Sequence, residues 1–347
     1  MQVTTVGIDL AKNVFQLHGC DVTGKAVLRK QLGRRRVIGF LANLPRCLVA
    51  MEACAGAHYW AREIEKLGHE VRLIGPQFVR PYVKANKNDA SDAEAICEAA
   101  SRPSMRFVAI KSAAQQDVQA VHRVRQQLVK TRTALGNQVR GLLAEYGIVI
   151  AQGVAHLRRA LPLILEDCAN GLSGVMRELL GEIGERLRFI EERLRRYDLW
   201  IQRLFRQDER CRRLAEVEGV GPLIATALVA AVDNASEFKS GRELAAYLGL
   251  VPRHRASGGR TVLLGISKRG DRYLRTLLVH GARSAMRTIE RRRTTRGVWA
   301  GRLKLRRGSN VAAVALANKN ARVLWALLTK GERYRPTPFS ARVPQAG

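Results

Sequence analysis

Residues 3–12, VTTVGIDLAK, decide how the first third of the chain is read. The β-branched run Val3–Ile8 has the composition of a short strand, and it delivers a carboxylate, Asp9, at its end. Two more strand-like runs follow, Val14–Gly19 and Ala26–Gln31, with Gly24 supplying the turn between them, which predicts an antiparallel meander. Arg36–Leu44 then has helical spacing, Cys47–Met51 is a brief apolar strand, Tyr59–Leu67 a helix, Val71–Ile74 a strand and Asp92–Ala100 a helix.

That order, βββαβαβα, fits a mixed sheet flanked by helices, an α/β domain of the ribonuclease H-like type among others. Its carboxylates are unusually placed. Glu52 directly follows the apolar run Leu48-Val49-Ala50-Met51, so Asp9 and Glu52 would end neighbouring strands. A carboxylate at the edge of a buried strand is costly unless a cation or hydrogen bonds hold it. Asp89 and Asp92, three residues apart at a helix start, would share one face. Four hard oxygen donors in one place suit Mg²⁺ or Mn²⁺ rather than zinc, and two such ions can serve both the attacking and the leaving oxygen of phosphoryl transfer. The bland alternative is that Asp89 caps the helix, Asp92 is solvated, and Asp9 and Glu52 pair with Lys12 and an arginine.

The 347 residues carry 60 Lys and Arg against 30 Asp and Glu, a net charge of +30. The excess is concentrated at one end: residues 251–347 hold 23 basic and 3 acidic side chains, whereas residues 1–110 hold 16 and 10. Charge of that size points to a polyanionic partner, above all nucleic acid, with a ribosomal location, a membrane surface or a GC-rich genome as lesser explanations. The six cysteines form no CxxC pair, which excludes a disulfide framework or a clustered zinc site. With no run of 18 apolar residues and no signal-peptide pattern, the expectation is a cytoplasmic, nucleoid-associated protein without a membrane partner.

The middle of the chain is helical, at about 115–146 and 174–214, with Leu179, Ile183, Leu187 and Ile190 starting the second apolar stripe. A connector at 147–173 would join them as an antiparallel coiled coil or helical hairpin for oligomerisation or spacing. The expected domains are 1–110, 111–215 and 216–330, with a poorly ordered tail, 331–347, rich in proline. In the third domain, a mainly α region, Glu218-Gly219-Val220-Gly221-Pro222 opens an Ala-rich helix, and such a turn can present N–H groups to a phosphate or simply cap the helix. Ser257-Gly258-Gly259 lies in a basic loop beside Arg253, Arg255 and Arg260, and by its residues alone reads as a flexible turn. Ser240 reads as a helix cap, Ser267 is a competitor, and His254 and His280 are lone histidines. Lys268, Arg269, Arg291, Arg292, Arg293, Arg306 and Arg307 extend a phosphate-binding surface, in which Trp299 could stack on a base or pack.

Gly7-Ile8-Asp9-Leu10-Ala11-Lys12, Met51-Glu52-Ala53 and Lys87-Asn88-Asp89-Ala90-Ser91-Asp92-Ala93 resemble the DEDD motifs of the insertion-sequence 110 family of transposases. Glu218–Pro222, Phe238–Arg242, Ala245–Arg253, Ser257–Gly259 and Gly265–Asp271 follow in family order, so the resemblance spans about residues 3–330, and the Ala315–Lys319 segment is closest to the 1111 branch. It implies a RuvC-like domain with Asp9, Glu52, Asp89 and Asp92 as metal ligands, and Ser257 as the nucleophile, against the reading from the residues alone. It further implies a composite site shared by two protomers of a homodimer or homotetramer. Its partners would be double-stranded donor and target DNA and a structured, non-coding bridge RNA that selects sequence by base pairing. Two other functions compete: a Holliday-junction-type Mg²⁺ nuclease using activated water, and a non-enzymatic nucleic-acid binder with a decayed acidic site.

Overall fold

Contacts divide the chain into two units, 1–116 and 117–347, each with its own apolar core. The structure is a computed structural model and describes residues 2–83, 89–257, 260–291 and 294–339.

The first unit is built on six strands and their covering helices: β1 (Thr5–Leu10), β2 (Val14–Cys20), β3 (Ala26–Gly33), α1 (Val37–Ala42), β4 (Leu48–Glu52), α2 (Ala57–Glu65), β5 (Glu70–Ile74), the short α3 (Pro76–Val79), α4 (Asp89–Ala100) and β6 (Phe107–Val108). The sheet order is β3-β2-β1-β4-β5-β6. The β1–β2–β3 meander is antiparallel, β1, β4 and β5 run parallel, and β6 closes the far edge antiparallel. Alternation along β1 explains the layers. Val6 and Ile8 are fully buried in a core with Trp60, Ala61 and Ile64 of α2 and Val37 and Leu41 of α1. Gly7, between them, points to the opposite face, where α4 lies; a Cβ there would collide with the Ala93 carbonyl, so only glycine lets the helix come this close. This architecture is the expected mixed sheet, consistent with a RuvC-like domain, and β6 is a further strand that the sequence pattern did not signal.

The second unit starts within α5 (Ala113–Ala144), which continues with α6 (Val154–Glu166) and α7 (Gly174–Gln207). α5 and α7 run antiparallel: Arg125 meets Asp198 at 2.6 Å, while Val139 and Leu143 share a core with Leu180, Ile183 and Leu187. The expected connector is itself a helix, because Leu157 and Leu161 of α6 drop into that same core and make a three-helix unit. The buried stripe of α7 begins at Leu180 rather than at Leu179, which is 45% exposed.

Beyond it lie α8 (Glu209–Leu214), α9 (Pro222–Ala231), α10 (Gly241–Tyr247), β7 (Pro252–Ser257), β8 (Arg260–Ile266), α11 (Arg272–Ala285), α12 (Thr295–Arg307) and α13 (Ser309–Lys330). The basic stretch expected as a loop is therefore a two-stranded antiparallel ribbon with Ser257 paired to Arg260 at its tip. The apolar stretch of the C-terminus is one continuous helix, α13, packed on α10, α11 and α12. Among the described helices α13 alone is long and apolar enough to cross a membrane, and 44% of that stretch is buried inside the unit. Part of the expected tail is held: Tyr334 bonds Arg296, and Pro338 bridges to Thr294.

Candidate active site

Ile8 lies opposite Met51 in the parallel β1–β4 pair, so Asp9 and Glu52 follow side by side at the C-terminal ends of the two strands. Both belong to the face that carries Gly7 and Ala50, the face covered by α4. The direction of α4 can be read from its contacts. The Cys97 thiol donates to the Thr5 carbonyl at 3.8 Å, and Ala93 sits over Gly7. Gly7 also faces the Cys97 amide, so Cys97 spans Thr5 and Gly7 while Ala93 lies farther along, and α4 runs antiparallel to β1. Its N-terminal turn, which contains Asp89 and Asp92, is therefore directed toward the Asp9 end of β1.

Asp9, Glu52 and Asp92 are all half-buried. A thiol beside them reports their field: Cys54 is pushed up by partial desolvation first, then by the charges of Glu52 and Asp9. Two negative charges acting on one sulfur at a strand end make an electronegative corner whose oxygen donors suit a hard divalent cation. Among the described side chains no three Asp, Glu, His or Cys residues converge closely enough to enclose an ion, and the Asp89 side chain lies outside the described residues. On the same face, a cleft of 370 Å³ is lined by Gln16, His18, Arg29, Gln31, Ser91 and Glu94. Gln16 is the cross-strand partner of Asp9, so the cleft adjoins the acidic corner. The β2 and β3 residues of this cleft were missed from the sequence; the alternation Gln16, His18 on β2 was the available signal.

In the second unit, Arg253, His254 and Arg255 are exposed along β7, and Lys268 and Arg269 are exposed at the foot of β8. The Ser257 and Arg260 side chains lie outside the described residues, as do Arg292 and Arg293 altogether. Arg291 is exposed, and Arg306 and Arg307 are exposed in the last turn of α12. Ser240 caps α10 by accepting from the Glu243 amide, while the Glu243 carboxylate accepts from the amide of Lys239, the residue before the cap. The Ser267 hydroxyl is buried without a hydrogen-bond partner, out of reach of DNA. His280 is exposed on α11, and one face of Trp299 is occupied by Lys319 Nζ at 3.7 Å. Gly219, at φ +83°, is pressed against the Gly281 carbonyl of α11, whereas Gly221 borders open space at the start of α9.

A mixed sheet with two strand-end carboxylates on the face covered by a helix is consistent with a RuvC-like domain, joined in this chain to a helical, basic unit. Residues 6–148 match the transposase family DEDD_Tnp_IS110, and residues 211–297 match the family described as Transposase IS116/IS110/IS902. Over 337 residues the chain is 53% identical to a "Probable family 20 transposase" of Pseudomonas aeruginosa, covering 97% of this chain and 100% of the relative. It is 46% identical over 333 residues to the transposase for insertion sequence element IS1111A of Coxiella burnetii, covering 96% and 92%. The transposase for IS1328 of Yersinia enterocolitica is 43% identical over 329 residues, covering 95% and 98%. The chain belongs to the IS110/IS116 family of insertion-sequence transposases.

Proposed function

We propose that this transposase cuts and rejoins DNA through Ser257, assisted by Mg²⁺ or Mn²⁺ held by Asp9, Glu52, Asp89 and Asp92. The observation that supports the metal assignment is the shared face of Asp9 and Glu52, the face covered by α4. A bound divalent ion would supply Lewis-acid stabilisation of a phosphate oxygen. The chain's own residues do the rest. The Ser257 hydroxyl gives up its proton to a base and attacks phosphorus. The bond to one deoxyribose oxygen breaks, and that oxygen takes up a proton. Arg253, Arg255 and Arg260 neutralise the growing charge on the phosphate. The resulting phosphoserine diester keeps the bond count unchanged, so a deoxyribose hydroxyl of a second DNA can reverse the step without ATP.

Family membership supports four finer readings. The acidic unit of one chain meets the serine unit of another, in a homodimer or homotetramer. The helical middle provides the association surface, where Leu163, Val175, Phe189, Leu199 and Trp200 stand exposed. A structured bridge RNA binds the basic surface together with donor and target DNA, in the cytoplasm at the nucleoid, and Gly219, Gly221, Lys268, Arg269, Arg291–Arg293, Arg306 and Arg307 contribute phosphate contacts. The domain reading 1–110, 111–215 and 216–330 assigns nuclease, association and serine functions in that order. An excision assay on a plasmid-borne element tests the reaction. Ser257→Ala and Asp9→Asn should each abolish excised circles; full activity of Ser257→Ala would leave a metal-activated water as the nucleophile.

A further inference from the structure

Three consecutive polar residues, Asn318-Lys319-Asn320, interrupt the apolar sequence of α13 at its middle. Asparagine is a poor helix former, and a buried amide is costly unless it is hydrogen-bonded. All three are engaged. Lys319 lies over Trp299 of α12. Asn318 Nδ2 donates to the Leu250 carbonyl at 3.1 Å. Asn320, fully buried, donates from Nδ2 to the Glu218 carbonyl at 2.9 Å, while its Oδ1 has no hydrogen-bond partner in the protein. Residues two apart on a helix point about 200° apart, so these bonds leave α13 on opposite sides.

What the two carbonyls belong to gives the bonds their meaning. Leu250 stands two residues before β7, at the foot of the serine ribbon. That foot is further tied by Ser267 N to Val251 O at 2.8 Å, Lys268 N to Gly249 O at 3.1 Å, and Arg275 Nη1 to the Leu248 and Arg269 carbonyls at 3.2 and 2.9 Å. Glu218 opens the Gly219–Gly221 turn, and its carboxylate lies 3.5 Å from Arg296 in a buried pair. One helix thus grips the base of the ribbon with one amide and the turn with the other.

We propose that Asn318 and Asn320 are positioning residues of the strand-transfer reaction: Asn318 aims the Ser257 ribbon, and Asn320 holds the Gly219–Gly221 turn that receives DNA phosphate. The proposal rests on the readings of Ser257 as nucleophile and of the Gly219–Gly221 turn as a phosphate contact. The ribbon acts as a lever. From Pro252 to Ser257 it extends about 17 Å, so a tilt of about 3° at the base moves the tip by about 1 Å. A misplacement of about 1 Å at a reacting atom can lower a rate by about 100-fold. Loosening the foot therefore slows chemistry, whereas loosening the turn weakens binding.

The test uses the full chain with a duplex spanning the element's own end, supplied with RNA transcribed from the element's flank. It measures the DNA dissociation constant and the single-turnover rate of covalent adduct formation at saturating protein. Asn318→Ala and Asn318→Asp should slow the saturated rate by about 10- to 100-fold, with the dissociation constant within about twofold of the parent. Asn320→Ala should weaken binding by about tenfold, with the saturated rate within about threefold. Asn318→Ser replaces either Asn318 variant that fails to fold. If the parent forms an adduct at Ser257 and every folded Asn318 variant forms it at the parent rate, the positioning role is overturned while the nucleophile stands. Equal losses of rate and affinity in Asn318 and Asn320 variants would also overturn it, because a merely structural role moves both together. A parent that cleaves with no adduct overturns the nucleophile, and the positioning claim with it.

Discussion

The acidic corner and the serine ribbon place their chemistry in opposite ways. Asp9 and Glu52 end adjacent parallel strands whose preceding residues, Ile8 and Met51, are fully buried. The sheet hydrogen bonds and the core fix those two carboxylates at once. Ser257 instead stands at the tip of a two-stranded ribbon whose Val262, Leu263 and Leu264 are 54%, 62% and 44% exposed. The corner is rigid because a fold surrounds it; the ribbon is aimed only from its foot. If both serve the proposed reaction, a fixed acidic corner works with a serine held on an adjustable ribbon.

The comparison breaks first if the two regions do not serve one reaction. Asp9→Asn and Ser257→Ala should each lower excision by about a thousandfold or more. Mixing the two inactive chains should restore part of the activity, because in a composite site one of the two sites of a mixed dimer carries both lesions and the other carries neither. No recovery on mixing, with mixed dimers shown by mass spectrometry, would mean that each chain supplies both groups to its own site.

The next effect bears on the corner alone. Gly7→Ala adds a Cβ where the Ala93 carbonyl lies, so α4 must lift and carry Asp89 and Asp92 away from Asp9. We expect excision to fall by about 100-fold and stability by about 3 kcal/mol, measured by urea unfolding. Wild-type activity in Gly7→Ala would detach α4 from the site.

A third effect belongs to the second unit. His122 of α5 is 2% exposed and bonds Tyr273 Oη and Thr226 Oγ1, both at 3.0 Å. Burial, then the charge of Arg125, pulls it down to about 4. A histidine whose folded value is below its unfolded value binds fewer protons when folded. Its contribution is therefore intact above about pH 6.5 and is lost as pH falls toward 4, by about 3 kcal/mol at most. Urea midpoints across that window should fall, and His122→Gln should flatten the part of the slope due to this group; an unchanged slope would contradict the buried neutral imidazole.

The smallest effect is a reporter in the corner. Because Glu52 and Asp9 both raise the Cys54 thiol, Glu52→Gln should speed its alkylation at pH 8 by a few-fold, with exposed Cys168 as the internal reference. Mg²⁺ should do the same in the parent chain, by offsetting that negative field. An alkylation rate indifferent to Mg²⁺ would count against the metal assignment independently of activity.

Much of the first unit was legible because its strands are short β-branched or apolar runs ending in carboxylates, and a buried strand end has few reasons to carry a charge. The ribbon was not legible. Pro252-Arg253-His254-Arg255 shows no apolar alternation, and its exposed strands leave no burial pattern to read. α6 was hidden by the glycines at 153 and 171 and by Pro162 inside it, all of which mark a connector in sequence. Within α13, Asn318 and Asn320 break the apolar run, and the partners of their Nδ2 groups, the Leu250 and Glu218 carbonyls, are distant in sequence and so invisible to a local reading. The one-residue error in the α7 stripe, Leu179 for Leu180, reflects two adjacent leucines that composition cannot tell apart.

The most direct test of a shared reaction is to quench a cleavage reaction on the element's end and digest the protein for mass spectrometry. The expected result is a nucleotide attached through phosphate to Ser257 in the parent chain, absent in Ser257→Ala and reduced below detection in Asp9→Asn. Strand cleavage at the parent rate with no adduct on Ser257, or an undiminished adduct in Asp9→Asn, would contradict it.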